Sequence, residues 1–182
     1  MRIATLGPEG SNHALIAKRY LTQRAGAEGE VCLYATFPEA FEGLLAGRVD
    51  RVLQCTAHFS HADCVGRTMH RAFPVDAFVA GSRPLALLAR TEVESPSRVG
   101  LQPATRYYTG LAAFAEQHDY PSIVAVEEAL LAGEVEAGIC AREALERHPG
   151  SLRLMEDLGP ALDVWVLYSI RPLPGGHPLL LG

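Results

Sequence analysis

Apolar and polar positions alternate in short blocks along the 182-residue chain. Ile3–Leu6 reads as a strand that runs into Gly7-Pro8-Glu9-Gly10, with a helix starting near Ser11. Asn12–Leu21 reads as that helix, with Ala14, Ala17, Tyr20 and Leu21 on one face. A strand is expected at Val31–Ala35 and a helix at Pro38–Ala46, ended by Gly47. Val49–Cys55 is the third strand, and His58–Arg71 reads as part loop and part helix. Val75–Ala80 and Leu85–Ala89 read as strands joined by a Gly81-Ser82-Arg83-Pro84 turn.

Thr91–Ser97 is polar and turn-rich, and a second alternation follows it. A strand is expected at Val99–Leu101 and a helix at Pro103–Gln117, with proline in its first turn. Next come a strand at Ile123–Ala125, a helix at Glu127–Ala132 and a strand at Ala137–Ala141. A helix at Arg142–Arg147 and strands at Leu152–Met155 and Val164–Ile170 complete the set. Strands alternating with helices predict an α/β protein with mostly parallel sheets flanked by helices. Two such sets predict two lobes, residues 1–80 plus 164–182 and residues 81–163. Ligands of open α/β sheets sit beyond the carboxyl ends of the strands. The expected site is therefore a cleft between lobes, edged by residues 7–12, 54–58, 102–106, 126–128 and 158–163.

Composition narrows the function. The formal net charge is −5, with no basic run or basic aromatic stripe, which argues against nucleic acid. No apolar run approaches ~18 residues, so no membrane partner is expected. Cys32, Cys55, Cys64 and Cys140 do not form a disulfide framework; they fit reduced thiols in a cytoplasmic protein. An apolar tail at Leu179–Leu181 predicts self-association as a homodimer.

The first turn presents backbone N–H groups and a helix N-terminus, an arrangement that favours an anion. The motif Leu6-Gly7-Pro8-Glu9-Gly10-Ser11 resembles the opening of prephenate dehydratases. Tyr34-Ala35-Thr36-Phe37 through Phe41, then Gly47-Arg48-Val49-Asp50, is similar to a second stretch of that family. Val135-Glu136-Ala137-Gly138-Ile139-Cys140 with Ala144 is similar to a third. The resemblance covers roughly residues 1–170. It implies a two-lobed, periplasmic-binding-protein-like (type II) fold and a cofactor-independent lyase.

Four stretches depart from the family pattern. Gln54-Cys55-Thr56-Ala57-His58 stands for Pro-Ile-Glu-Asn-Ser, and Leu101-Gln102-Pro103 for Ser-His-Pro. Val124-Ala125 stands for Ser-Thr, and Asp163-Val164-Trp165 for Thr-Arg-Phe, whose threonine helps the ring hydroxyl leave. The sequence given has no regulatory ACT domain. Prephenate decarboxylases of the bacilysin type share the opening motif, the lack of that domain and a Trp at the position of Trp165. Prephenate dehydratase-like proteins of secondary-metabolite clusters, such as tropone pathways, are a third resemblance.

The expected ligand is thus a small anionic cyclic acid. Gly7, Glu9, Gly10, Ser11 and Asn12 at the first turn are candidate binding residues, with Thr56 after the third strand. Gln102, Thr105 and Arg106 at a second helix N-terminus, Arg83 in the inter-lobe turn, and Trp165 complete the candidate set. Ser11 and Thr105 also read as ordinary first-turn polar residues, and Arg106 as a solvated charge. His58 is a candidate acid or base, and Asp163 a candidate proton donor whose burial would raise its pKa. Both also read as structural loop and strand-start residues. Cys55, His58, His61 and Cys64 are metal-competent, but steps of three drift around a helix and do not converge on one tetrahedral ion. No metal and no cofactor are expected.

Overall fold

The computed structural model describes residues 1–24 and 29–174. In chain order the elements are β1 (Arg2–Leu6), α1 (Asn12–Arg24), β2 (Glu30–Tyr34), α2 (Phe37–Leu45), β3 (Arg51–Cys55), α3 (His61–Thr68) and β4 (Phe73–Gly81). They continue as β5 (Leu85–Arg90), β6 (Arg98–Leu101), β7 (Glu116–Asp119), α4 (Ile123–Ala132), β8 (Ala137–Ala141), α5 (Ala144–Arg147), β9 (Leu152–Gly159) and β10 (Leu162–Ser169). The chain divides into two units: Met1–Ala80 with Asp163–Gly182, and Gly81–Leu162. No helix among the described residues is long and apolar enough to cross a membrane.

The first unit is built on a five-stranded sheet in the order β2-β1-β3-β10-β4. β1 runs parallel to β2 and β3, whereas β10 runs antiparallel to β3. Both faces are covered, which is why β1 and β3 are buried almost throughout rather than on alternate residues. One face carries Ile3, Leu53, Cys55, Trp165 and Leu167 beneath Ile16, Ala17 and Leu21 of α1. The other carries Ala4, Val52 and Tyr168 beneath Phe37, Phe41 and Leu44 of α2 and Cys64 of α3. Local chemistry sets the helix starts. The Ser11 hydroxyl accepts the Ala14 N–H at 3.2 Å, and Thr36 Oγ1 accepts the Glu39 N–H at 3.3 Å.

The second unit carries a sheet in the order β7-β6-β8-β5-β9. β6 is parallel to β7 and β8; β5 is antiparallel to β8 and β9. All residues of β5 from Leu85 to Ala89 are buried, so it takes an interior place between β8 and β9. The Gly81–Pro84 turn therefore joins strands of two different sheets: β4, with alternating exposure, stays at the edge of the first. β9 also runs longer than expected, to Gly159.

Two expected elements are corrected. The helix expected at residues 103–117 is a single 3-10 turn, Pro103–Thr105, followed by irregular chain. Leu111 and Phe114 are buried there, but their neighbours Tyr107, Tyr108, Ala112 and Ala113 are exposed, so no continuous apolar stripe exists to pack a helix. The strand expected at Ile123–Ala125 is the first turn of α4. Ser122 Oγ accepts the Ala125 N–H at 3.1 Å, and this cap outweighs the β-branched run. The strand before it is β7, whose four residues are all exposed and which is held by backbone pairing with β6. The apolar tail at Leu179–Leu181 lies outside the described residues.

α4 sits on β6 and β8 because two glycines face it. Gly100 pairs with Gly138 in register. A Cβ on Gly138 would come within 2.7 Å of Val126 Cγ1, and one on Gly100 within 3.0 Å of the Tyr120 ring. Gly138→Ala is expected to destabilise the protein by about 1–3 kcal/mol through overpacking. Gly66, in α3, has nothing within 4 Å of its Cβ position. Gly66→Ala is expected to gain about 0.5–1 kcal/mol, because only helix propensity changes. Denaturant titration of both variants checks the pair; equal effects would show that α4 does not press on the sheet.

Candidate functional site

The carboxyl ends of β1 and β3 meet the start of α1 in the first unit. After β1, Gly7 donates its N–H to the Tyr34 carbonyl at 3.0 Å, and the Gly7–Pro8 peptide is cis. Gly10 adopts φ +82°, a left-handed conformation that favours glycine. The Ser11 N–H donates to Pro8 O at 3.1 Å, and its hydroxyl, besides capping α1, donates to Leu6 O at 3.2 Å. Ser11 is thus 3% exposed and fully committed to closing the turn. Glu9 is exposed and paired with Lys18. Asn12, half-buried, is the first helical residue.

The centre of this edge is a histidine that the sequence reading passed over. His13 lies in the first turn of α1, on the stripe that continues through Ile16, Ala17 and Tyr20. Its ring meets Trp165 edge-on at 5.1 Å between centroids, Phe37 at 5.5 Å and His58 at 5.8 Å. Phe37 and His58 touch at 4.8 Å, and Phe59 stacks outside His58 at 4.4 Å. Burial, then the neighbouring His58, pushes the His13 pKa down to about 3. Burial, then His61, pushes His58 down to about 4. Both rings are neutral at neutral pH.

His58 also has an assigned tautomer. The Ser60 backbone N–H donates to His58 Nδ1 at 3.2 Å, and Ser60 Oγ lies 2.8 Å from the same nitrogen. A backbone N–H can only donate, so Nδ1 is the acceptor and the proton sits on Nε2. In this state His58 is a neutral hydrogen-bond donor, not an imidazolium acid, and its Nδ1 is not available as a base.

Asp163 is the second residue of β10, two before Trp165 of this cluster. The Cys55 thiol and the Asp163 carboxyl influence each other electrostatically, and the His58 N–H donates to Cys55 O at 3.2 Å. Burial raises the Asp163 pKa, and the thiol contact partly opposes this. Burial pushes Cys55 up to about 11, so it stays a thiol. Asp163, Cys55 and the His58 backbone therefore form one connected group. Thr56 extends the β3–β10 ladder, donating its N–H to Val164 O at 2.9 Å. Trp165 is 2% exposed and belongs to the core, where a cleft-facing ring was expected; the Cys55↔Trp165 register turns it under α1. Its Nε1 and the Nε2 of His13 are buried and make no hydrogen bond to the described residues.

The metal-competent run spreads over separate partners. His61 Nε2 lies 2.9 Å from the Tyr168 hydroxyl, and Cys64 Sγ lies 3.9 Å from Ser60 Oγ. Among the described residues no three His, Cys, Asp or Glu side chains gather as a metal ion would need.

The remaining candidates lie in the second unit. The expected second helix N-terminus is corrected: a 3-10 turn of three residues has no useful macrodipole. Gln102 Oε1 accepts the Ala104 N–H at 2.8 Å, and the buried Thr105 hydroxyl donates to Gln102 O at 2.8 Å. Arg106 donates to Gln117 Oε1 at 2.6 Å and pairs with Asp119. Arg83 pairs with Glu143.

No protein-family model matches the sequence, and none of the curated proteins does. Solved structures are similar to it. A prephenate dehydratase from Arthrobacter aurescens, in complex with L-Phe, aligns over 100% of this chain at TM-score 0.65 and 20% identity. The chain spans 63% of that protein's length. An ABC transporter structure from Parabacteroides distasonis aligns over 93% of this chain and 65% of its own, at TM-score 0.60 and 18% identity. A binding component of a phosphonate ABC transporter from Pseudomonas aeruginosa aligns over 96% of this chain and 70% of its own, at TM-score 0.57 and 13% identity. The chain has the two-lobed, periplasmic-binding-protein-like type II fold that prephenate dehydratases also have.

Proposed function

We propose that this chain is a cofactor-independent lyase of the prephenate dehydratase-like kind. Its substrate would be prephenate or a related small cyclic carboxylic acid of specialised biosynthesis. The observation that carries the proposal is the placing of Asp163, Cys55 and His58 together at the carboxyl end of β3, where β10 pairs with it and ligands of open α/β sheets sit.

Loss of carbon dioxide breaks the bond between the ring's quaternary carbon and its carboxylate, and the electron pair enters the diene. If Asp163 gives its proton to the ring hydroxyl, water leaves and the ring aromatises. If the proton goes to a ring carbon instead, the hydroxyl stays and the product is not aromatic. Burial keeps the Asp163 proton available nearer to neutral pH than an exposed aspartate would. His58 Nε2–H donates to a substrate oxygen without adding charge. A second reading is a binding protein for small anions on the same scaffold. It is favoured by the likeness of the fold to a binding component of a phosphonate ABC transporter.

Incubation with prephenate, followed by ultraviolet spectra and product analysis, tests the first reading. Phenylpyruvate is expected from dehydration and a dihydro-hydroxyphenylpyruvate from decarboxylation alone. Asp163→Asn is expected to reduce turnover by ~10²–10⁴-fold. Unchanged prephenate that still binds saturably would favour the second reading; a substrate such as a tropone-like ring or a thioester would then be tried in the same assay.

The neutral histidines make a separate prediction. Below the ordinary value of 6.5 an unfolded chain protonates both, whereas the folded chain resists until about 4 and about 3. The unfolded state then binds more protons, so stability falls as the pH drops. Their contribution is present above 6.5 and is lost as the pH falls through the folded values. Urea titrations across this window should show His13→Gln with a shallower acid slope than the parent. Identical slopes would show that His13 is not held neutral.

A further inference from the structure

The opposite edge of the first unit's sheet holds a cavity of about 460 Å³ that none of the chemistry above uses. Met1 precedes β1 there, Arg51 begins β3, and α1 ends at Arg24. Tyr20, Arg24, Arg51, Asp76 and Arg171 supply its polar wall. Three guanidiniums thus meet one carboxylate, an excess of two positive charges. That carboxylate is already engaged: one Asp76 oxygen accepts from the Tyr20 hydroxyl and from Arg24 Nη1, each at 2.9 Å.

Two of the arginines, Arg24 and Arg51, have their guanidiniums held in place, and Arg171 is held by its backbone. Arg24 lies over the Phe78 ring, 5.2 Å from its centroid. Arg51 Nη1 donates to Asp50 O at 2.7 Å and to Ser169 Oγ at 2.9 Å. Ser169 is fully buried, and its hydroxyl also accepts the Arg171 N–H at 3.0 Å. Side chains fixed before a ligand arrives lose little entropy on binding, and guanidiniums suit the paired oxygens of phosphates and carboxylates. The rest of the wall is apolar: Val75, Leu167, Leu173 and the prolines at 172 and 174.

We propose that this cavity is a second ligand site, for a small organic molecule with a doubly negative head, of the phosphate-monoester class, and an apolar body. The two excess charges take the head and the apolar wall takes the body. The volume falls within the range of small-molecule pockets, roughly 300–1,000 Å³.

Phenyl phosphate is the probe, titrated calorimetrically into the full chain. Saturable binding that weakens with added salt is expected. Inorganic phosphate, which lacks the body, and benzoate, which has one charge, are expected to bind more weakly. Arg24→Ala and Arg171→Glu are each expected to lose about tenfold or more in affinity, with the melting temperature checked alongside. Arg51 is left intact because it also braces Ser169. His58→Gln, at the other edge, is expected to retain full affinity. Absence of saturable binding overturns the proposal, as does benzoate binding as well as phenyl phosphate. Affinity kept in both arginine variants, or lost only in His58→Gln, places the ligand elsewhere and overturns it too.

Discussion

The antiparallel seam between β3 and β10 organises the first unit. Without β10 the sheet would end at β3, and β4 would have nothing to pair with. The register Trp165↔Cys55 through Tyr168↔Val52 then sorts the side chains. Cys55, Trp165 and Leu167 go under α1, whereas Val52 and Tyr168 go under α2 and α3. A slip of one residue would exchange the two faces. It would move Trp165 from His13 and the Tyr168 hydroxyl from His61 together, so the core and the candidate site share one constraint. The strand that supplies it comes from the far end of the sequence, after the whole second unit.

The two edges of this sheet are electrostatic opposites. At the carboxyl edge, burial discharges both imidazoles and keeps Cys55 a thiol. What remains is a set of neutral donors with Asp163 beside them. At the amino edge, three guanidiniums outnumber one carboxylate. Desolvation explains the difference. Histidine can shed its proton when buried, but arginine cannot, so arginines stay where water or an anion can reach them.

Much of the first unit was legible because its signals are local. The run from β1 to β3 carries apolar strands, a Ser11 cap, a Thr36 cap and Gly47 after α2, each within a few residues of the element it defines. The second unit was harder. In α4 the run Ile123-Val124-Ala125-Val126 favours a strand by composition, and only the Ser122 cap points the other way. β7 is Glu-Gln-His-Asp, fully exposed, and has no pattern to read. The site was legible in part. His58 and Asp163 could be proposed from their places beside the ends of strands, because those signals are local. His13 was missed because its partners Phe37, His58 and Trp165 come from three other elements, and no spacing in the sequence brings them together. The available signal was the cap: with Ser11 fixed as N-cap, His13 falls on the buried stripe of α1.

A buried polar atom without a hydrogen bond costs about 1–3 kcal/mol. Among the described residues, His13 Nε2 and Trp165 Nε1 have no hydrogen-bond partner, on one face of the sheet with their rings in contact. On the other face the fully buried Gln54 amide makes no well-formed hydrogen bond to the described residues, although the Cys64 thiol lies beside it. Apolar residues of similar size would fill these places more stably. Phenylalanine already does so at position 37, in contact with the same His13 ring. Such costs concentrate where a protein must keep polar groups ready rather than satisfied. Here they fall at the carboxyl edge of β3 and the adjoining strand of β10, beside Asp163, whose pKa burial raises. Packing alone does not explain keeping three such groups within the reach of two strands; the proposed site, dry until it receives a polar ligand, would.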